Sequence, residues 1–236
     1  MRQKRLFEFQ KDFINNMTHE FKTPLSTIRI AAEVFRSDAH IRDDERLSKY
    51  AKLILDQEGR INNQVEKILQ VAGYENGKIN FKLEEVQFIS LLNTFSASAQ
   101  AAATQQPFSF AANLPEQEFN LQLDPTHMNN ILWNLLENAI KYGGPEVEIM
   151  LSFSKSNKYY EVSMSDSGPG ISKSDQKYIF QKFYRVQKGN LQSAEGFGLG
   201  LYYVKKVIDQ LQWKIDVKSS LGQGSTFTIY IPKPKK

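Results

Sequence analysis

The chain has 236 residues, 41% of them hydrophobic, with no cysteine and a formal net charge of +4. This length allows one large domain or two smaller ones, and the lack of cysteine excludes disulfides and thiolate metal sites. The mild charge indicates a solvated surface without the clustered basic stripe of a nucleic-acid-binding protein. The sequence contains no apolar run of about 18 residues and no signal peptide.

The first part of the sequence predicts two amphipathic helices. Residues 4–36 carry one apolar side: Leu6, Phe9, Phe13, Met17, Phe21, Ile28, Ala31 and Phe35. Residues 44–72 follow a heptad spacing with Glu58 in one place of the seam: Leu47, Ala51, Ile54, Ile61, Val65, Ile68 and Ala72. The polar stretch Ser37–Asp44 suits a tight turn between them. Because two helices alone cannot bury both stripes, the pattern predicts a homodimeric four-helix bundle.

One histidine on the first helix is predicted to face solvent. His19 lies two residues from both Met17 and Phe21, about 200° around the helix from each. Pro24 would remove a helical hydrogen bond and kink the helix there. The alternative, that Pro24 marks a helix end, fits less well because the apolar stripe continues to Phe35.

The residues around His19 suit phosphoryl chemistry. A neutral imidazole is a ready nucleophile near neutral pH. Glu20 could accept a hydrogen bond from the second ring nitrogen and stabilise the charge that forms on attack. Thr23, one turn later, could position a water for the reverse, hydrolytic step. A lone exposed histidine is usually an ordinary surface residue, so the rest of the chain must decide.

The helical pattern stops around Glu75–Lys78, which predicts a hinge and two domains, 1–75 and 76–236. The expected strands lie near Ile79–Leu83, Phe108–Ala111, Phe119–Leu123, Val147–Phe153, Tyr159–Ser165, Trp213–Ser219 and Ser225–Ile231. The expected helices are Ser90–Ala102, one that begins after Asp124–Pro125, and Leu199–Leu211. Antiparallel strands with grouped helices favour an α/β sandwich with the helices on one face.

One predicted helix carries polar residues on a single stripe. Asn134, Asn138 and Lys141 recur at four and three residues, with Tyr142 beside them. Asparagine disfavours helix interiors, so its repeated use needs a reason. Its oxygen suits Mg²⁺, and lysine suits phosphate. The alternative is the polar outer face of an ordinary amphipathic helix.

Two glycine-rich segments follow. Asp166 ends an alternating strand before Gly168 and Gly170, and its carboxylate could accept from an exocyclic amine such as that of adenine; the alternative is a surface turn. Gly196, Gly198 and Gly200 lead into a helix, where backbone N–H groups can approach phosphate. Their spacing is not that of a Rossmann turn.

The segment between the two glycine-rich stretches carries cations and aromatic residues. Lys182 and Arg185 could meet a terminal phosphate. Phe180, Phe183 and Tyr184 are interpreted as packing anchors in preference to ligand contacts.

Taken together, these segments resemble the sensor histidine kinases of bacterial two-component systems, over nearly the whole chain and in the expected order. HEFKTPL is similar to the family's H box, NLLENAIKY to its N box, DSGPG with Ile171 to its first glycine box, FQKFYR to its F box and GFGLGL to its second glycine box. The resemblance implies an α+β chain: a dimerisation and phosphotransfer hairpin, then a Bergerat-type ATP-binding domain.

The resemblance also implies roles for individual residues. His19 would be phosphorylated from ATP, Glu20 would activate it, and Thr23 would serve phosphatase activity. The implied nucleotide-binding residues are Asn134, Asn138 (also the Mg²⁺ ligand), Lys141, Tyr142, Asp166, Gly168, Gly170, Ile171, Arg185, Gly196, Gly198, Gly200, Leu201 and Thr226. The implied partners are a second copy of the chain and the receiver domain of a response regulator, without nucleic acid.

Two other classes of function remain as alternatives at this point. Clamp ATPases, such as type II topoisomerases and mismatch-repair proteins, share the ATP fold, but they lack an exposed histidine on a kinked bundle helix. A non-catalytic scaffold that senses ATP would not need Glu20, Asn138 and both glycine boxes. The expected location is the cytoplasmic portion of an inner-membrane-anchored sensor, with membrane contact only through a sensor region absent from this sequence.

Overall fold

The structure, a computed structural model, describes residues 25–38, 44–75, 79–186 and 198–233, with the backbone alone for residues 60 and 62–75. Its contacts separate the chain into two units, Met1–Lys78 and Ile79–Lys236. In the first unit, helix α1 covers residues 25–37 and helix α2 covers Glu45–Glu75. The part of the predicted first helix before residue 25 lies outside the described residues.

Among the described side chains, each of the two helices of the first unit buries two residues that are seven apart in the sequence. Asp44 caps α2, because its Oδ1 accepts hydrogen bonds from the N–H groups of Arg46 and Leu47 at 2.9 and 3.1 Å. The buried residues are Leu25, Ala32, Ala51 and Glu58. Ala32, and not the predicted Ala31, is therefore the buried alanine of α1.

Where the structure describes their side chains, the large apolar residues of both predicted stripes lie on the surface of this single chain. These residues are 44% to 54% exposed: Ile28, Phe35, Leu47, Ile54 and Ile61. They form a second stripe, also spaced by seven along each helix, next to the buried one. A stripe of this kind is what a coiled-coil-like partner would cover.

The second unit is built on a five-stranded mixed sheet. Its strands are β2 (Phe108–Asn113), β4 (Val147–Lys155), β5 (Tyr159–Asp166), β6 (Lys214–Ser219) and β7 (Ser225–Pro232). The two other strands of the unit, β1 (Glu84–Gln87) and β3 (Asn120–Leu123), form a separate antiparallel pair. The order in the large sheet is β2-β4-β5-β7-β6. The prediction of antiparallel strands throughout is wrong for β2, which pairs parallel to β4. The long connection through β3 and a helix permits this parallel pairing.

Three helices of this unit, α3 (Phe88–Ala103), α4 (Pro125–Gly143) and α5 (Gly200–Gln210), pack with the sheet. The helix-facing strand residues alternate with polar ones and are buried: Val147, Ile149, Leu151, Val162, Met164, Phe227, Ile229 and Ile231. Phe95 of α3 contacts the rings of Phe110 and Trp133 edge-on. The predicted arrangement of helices against a sheet is confirmed.

The segment before β1 is not the predicted strand. Residues 79–83 lie outside both sheets, although their apolar residues alternate. The N–H of Ile79 donates to Oε1 of Gln210 at 2.7 Å, and the N–H of Lys82 donates to Oδ2 of Asp124 at 2.8 Å. Side chains thus take hydrogen bonds that a neighbouring strand would otherwise accept. In the described part of the chain, no helix is long and apolar enough to span a membrane.

Candidate active site

Some of the predicted site residues lie in the described parts of the chain and others do not. His19, Glu20, Thr23 and Gly196 lie outside the described residues. All the others lie in the second unit: on α4, at the end of β5 and in the loop after it, in the segment before residue 187, around the start of α5, and on β7.

Helix α4 is positioned by its N-cap. Asp124 is buried, and its Oδ1 accepts a hydrogen bond from the N–H of His127 at 3.1 Å. Burial raises the pKa of Asp124, but the backbone hydrogen bonds from Lys82 and His127 outweigh it, so the net pKa is lowered. The predicted capping by Asp124 and start at Pro125 are confirmed.

The two asparagines of α4 turn their amide nitrogens onto their own helix. Nδ2 of Asn134 donates to the carbonyl of Asn130, and Nδ2 of Asn138 donates to the carbonyl of Asn134, both at 2.7 Å. These bonds use the amide nitrogens, and the side-chain oxygens are the atoms that could act as ligands. Oxygen donors are those that Mg²⁺ prefers, so these amides fit the implied cation. The described residues contain no group of three or more histidines, aspartates or glutamates that could hold a metal without the nucleotide.

The last turn of α4 carries a cation beside an aromatic ring. Nζ of Lys141 lies 4.7 Å from the ring centroid of Tyr142, which is 38% exposed. A lysine held in this way presents a point charge near the helix end, which suits a phosphate oxygen.

The start of α5 comes close to the first asparagine. A Cβ atom added to Gly200 would lie 2.7 Å from Oδ1 of Asn134. Only glycine therefore fits without a shift of that amide. The closeness brings the N-terminus of α5, with its positive potential and unpaired N–H groups, next to the oxygen donors of α4. Leu201 follows on α5 and is half-buried.

Asp166 lies at the end of β5 and is partly buried. Its Oδ1 accepts a hydrogen bond from the N–H of Gly168 at 2.9 Å, and the N–H of Ser225 also donates to its carboxylate. Burial raises the pKa of Asp166 despite these two hydrogen bonds. A Cβ added to Gly168 would lie 2.7 Å from Cα of Gly143, so the first glycine box contacts the end of α4 directly.

The strand register contradicts the prediction that Thr226 faces the same ligand as Asp166. In the pairing of β5 with β7, Asp166 is opposite Ser225 and Thr226 is opposite Ser165. Directly paired residues share a face of the sheet, and neighbours along a strand alternate. Thr226 is therefore on the opposite face from Asp166, and buried Ser225 occupies the place assigned to Thr226. The alternation of Ser225, Phe227 and Ile229 was the signal that could have identified it.

The segment before residue 187 joins both glycine-rich stretches. The hydroxyl of Tyr184 donates to Oδ1 of Asp175 at 2.6 Å, and hydrogen bonds from Ser172 and from Tyr184 lower the pKa of Asp175. The N–H of Phe183 donates to the carbonyl of Gly198 at 3.1 Å. Arg185 follows directly and is exposed.

The aromatic residues of this segment differ in their packing. Phe180 contacts the ring of Phe227 edge-on, with 6.4 Å between centroids, and Tyr184 packs against Tyr178. Phe183 is 60% exposed and has a positive φ of 64°, so the prediction that it is a packing anchor is wrong. A bulky residue in this conformation is strained.

Comparisons with known proteins match both parts of the chain. Residues 9–77 match the family model described as the His Kinase A (phospho-acceptor) domain. Residues 123–235 match the model described as histidine kinase-, DNA gyrase B- and HSP90-like ATPase. Sensor protein RprX of Bacteroides fragilis is 37% identical over 98% of this chain and 45% of its own length. The chain thus spans less than half of that relative.

Solved structures share the fold. Full-length ShkA, in complex with AMPPNP, aligns with 94% of this chain and 46% of its own, with a TM-score of 0.78 and 21% identity. Histidine kinase ThkA, in complex with the response regulator protein TrrA, aligns with 99% of this chain and 64% of its own, with a TM-score of 0.63 and 24% identity. The two family models together match most of the chain in the order that its motifs predict. The chain belongs to the sensor histidine kinases.

Proposed function

We propose that the chain phosphorylates itself on His19 from Mg-ATP and then transfers the phosphoryl group to an aspartate of a response regulator. The observation that supports this most is the approach of Asn134 to the N-terminus of α5 at Gly200. It places oxygen donors for a cation beside backbone N–H donors for phosphate, in a unit whose partly buried Asp166 can accept from adenine.

The residues would divide the reaction as follows. Asp166 accepts a hydrogen bond from the adenine amine, and Gly168 lets the base approach. Asn138 would hold Mg²⁺, Asn134, Lys141 and Tyr142 would lie around the phosphates, and Arg185 would contact the γ-phosphate. Bound Mg²⁺ would supply charge neutralisation on the phosphates.

At the acceptor, a ring nitrogen of His19 forms the bond to the γ-phosphorus as the bond to the bridging oxygen breaks, and ADP leaves. Glu20 stabilises the positive imidazole through the other ring nitrogen. The predicted hinge near Gly77, which lies outside the described residues, would let the ATP-binding unit approach and leave the histidine.

The proposed assembly is a homodimer. It is supported by the exposed stripe of Ile28, Phe35, Leu47, Ile54 and Ile61. The proposed second partner is the receiver domain of a response regulator, supported by the phospho-acceptor match and by the ThkA–TrrA neighbour. We also propose that this chain is the cytoplasmic portion of a longer, membrane-anchored sensor. The name and greater length of sensor protein RprX support a longer sensor protein as the parent.

The proposal is tested by labelling with γ-labelled ATP. Asn138→Ala should lose Mg-dependent incorporation, because the cation loses its protein oxygen donor. Asn129→Ala, an exposed asparagine on the same helix, is the matched control and should incorporate label like the parent. Equal incorporation by Asn138→Ala and Asn129→Ala would contradict the role of Asn138.

Phosphatase activity toward the regulator is tested separately. Thr23→Ala should retain autophosphorylation and slow dephosphorylation of the purified phosphorylated regulator, because the hydroxyl that positions water is lost. Dephosphorylation at the parent's rate would contradict the role of Thr23.

A further inference from the structure

The first glycine box is attached to the hairpin β6–β7 by side chains outside the predicted site. Ser219 ends β6 and Ser225 begins β7, and the two residues are directly paired. The N–H of Ile171, in the glycine box, donates to Oγ of Ser219 at 2.7 Å. The backbones also touch, since a Cβ added to Gly170 would lie 2.0 Å from the carbonyl oxygen of Ser220.

Gln176 closes this connection from the other side. Its Nε2 donates to the carbonyl of Ile171 at 2.7 Å and to the carbonyl of Ser219 at 2.9 Å. Both amide hydrogens are then used, one on each segment. Gln176 therefore fixes the distance between the glycine box and the hairpin.

The hydroxyl hydrogens follow from the available donors and acceptors. Oγ of Ser219 has one hydrogen, which it donates to the carbonyl of Gly224 at 2.8 Å. Oγ of Ser225, 2.9 Å away, must then donate its own hydrogen to Ser219. What Ser225 retains toward a ligand is acceptor capacity alone.

The carboxylate of Asp166 lies next to Ser225 and is also an acceptor. Ser225 is opposite Asp166, and its N–H donates to that carboxylate. Asp166 and Ser225 thus form an acceptor pair on one face of the sheet. An acceptor pair favours a ligand amino group and disfavours a ligand carbonyl oxygen at the same place.

We infer that Gln176 and Ser219 are positioning residues for purine selection: they hold the hairpin on the first glycine box so that Asp166 and Ser225 form an acceptor pair that favours a 6-amino purine over a 6-oxo purine. This inference rests on the proposed function, because it assumes that the site binds ATP. It adds two residues that would act on the base only through Asp166 and Ser225.

The test compares ATP with inosine triphosphate, which carries a 6-oxo group in place of the 6-amino group. Binding is measured on the full chain in a His19→Gln background, so that nucleotide is not consumed. Gln176→Met removes both amide donors at similar volume. It should weaken ATP binding about tenfold and change inosine triphosphate binding by less than about threefold. Gln223→Met, an exposed glutamine in the same hairpin, should leave both affinities unchanged.

A second pair of variants keeps the test decisive where Gln176→Met unfolds. Ser219→Ala removes the bridging hydroxyl and should lower the preference for ATP, whereas Ser219→Thr keeps a hydroxyl and should restore it. With His19 present, Ser219→Ala should raise KM for ATP while kcat stays within about twofold.

The inference is overturned if the variants weaken ATP and inosine triphosphate equally, which is the result of a merely structural role, or if they change neither. If the parent itself binds no ATP, the proposed function fails. If the parent prefers ATP and the variants keep its preference, the inference fails alone.

Discussion

Asp166 combines a proposed binding role with a cost to the stability of the fold. Burial raises its pKa, so in the folded chain the ionised form is less favoured than in the unfolded chain, where the reference pKa is 3.8. At neutral pH this residue therefore destabilises the nucleotide-free protein, and the destabilisation disappears as the pH falls through the raised pKa. Such a carboxylate is expected where a ligand needs an acceptor.

Asp166→Asn should separate these two effects. The neutral amide removes the cost of burying charge, so the unfolding midpoint of the nucleotide-free chain at neutral pH should stay equal or rise. ATP affinity should fall by about two orders of magnitude, because an NH₂ donor takes the place of one of the two carboxylate oxygens that could accept from the base. Tryptophan fluorescence follows the unfolding, since both tryptophans, Trp133 and Trp213, lie in the ATP-binding unit.

The control for this variant is Asp216→Asn, on the polar face of the same sheet, which should leave ATP affinity unchanged. An Asp166→Asn chain that binds ATP like the parent would contradict the assignment of the base-reading carboxylate.

Replacing either of two helical glycines by alanine should have different effects: one replacement should weaken ATP binding and the other should stabilise the fold. Gly200→Ala places a methyl group 2.7 Å from Oδ1 of Asn134 and should weaken ATP binding. Gly59, in α2, has nothing within 4 Å of an added Cβ, so Gly59→Ala should stabilise the hairpin by about 0.5–1 kcal/mol and leave ATP binding alone. Denaturant titration and nucleotide binding measure the two effects. Unchanged binding by Gly200→Ala would show that the contact with Asn134 is unimportant.

At the residue scale, the sequence identifies groups whose chemistry is unusual for their place. Asparagines inside a helix and glycines before a helix are such groups, and both appear at close contacts in the structure. Ser225 and Gln176 were not identified, because a serine in a strand and a glutamine in a short 3-10 helix, Asp175–Lys177, are ordinary by type. Their importance comes from pairing register and from contacts across the chain, which local patterns do not contain.

At the scale of elements, the N-terminus of α4 joins three parts of the ATP-binding unit. Nδ1 of His127 lies 2.8 Å from the hydroxyl of Tyr203 on α5. The imidazole ring of His127 also contacts the ring of Phe81 edge-on. Asp124 accepts from both α4 and the segment that enters the unit. The site helices α4 and α5 are therefore tied together at the end that the entering chain contacts.

This junction gives the ATP-binding unit a pH-dependent stability. Burial lowers the pKa of His127 below its ordinary 6.5, and the charge of Asp124 only partly offsets this. The unfolded chain then binds more protons than the folded chain, so the contribution is present above pH 6.5 and is lost as the pH falls through the lowered pKa. Asp124, whose pKa is also lowered, contributes above its ordinary 3.8 and loses this only in stronger acid.

His127→Gln should flatten the dependence of the unfolding midpoint on pH as the pH falls below about 6.5, because the residue no longer titrates. Tryptophan fluorescence measures the midpoint for this unit. His40→Gln, outside the described residues, serves as a control and should keep the parent's slope. A slope unchanged by His127→Gln would contradict the junction's role in pH dependence.

Most elements of the second unit could be predicted because their periodicity is regular and their caps are explicit, as at Asp124–Pro125. The segment 79–83 was predicted wrongly because alternation records which side chains are buried, not which groups accept the backbone hydrogen bonds. The parallel pairing of β2 was missed for a related reason: a strand's own pattern does not identify its neighbour.

For the whole molecule, the seam of α2 matters most, because its described residues are buried and exposed in turn. Ala51 and Glu58 are buried within the chain, whereas Leu47, Ile54 and Ile61 are exposed. Buried Glu58 has Nη1 of Arg29 at 3.9 Å. Such a polar residue in a seam weakens packing and can specify helix register.

The exposed stripe predicts a dimer that one charge should disrupt. Ile54→Glu should give a monomeric mass, because the carboxylate would be buried without a partner in the interface. Leu53→Glu is a matched control: Leu53 is 45% exposed and Ile54 is 44% exposed, but Leu53 lies off the stripe. Light scattering across a concentration series measures the mass. A dimer that survives Ile54→Glu would contradict the predicted interface.

The proposed function requires the ATP site in the second unit to serve His19 in the first. Incubation with γ-labelled Mg-ATP tests this, comparing the parent with His19→Gln and following the label in acid and in alkali. The expected label is acid-labile, alkali-stable and absent from His19→Gln, while that variant still binds ATP. Label that persists in His19→Gln, or that resists acid, would contradict the proposed function.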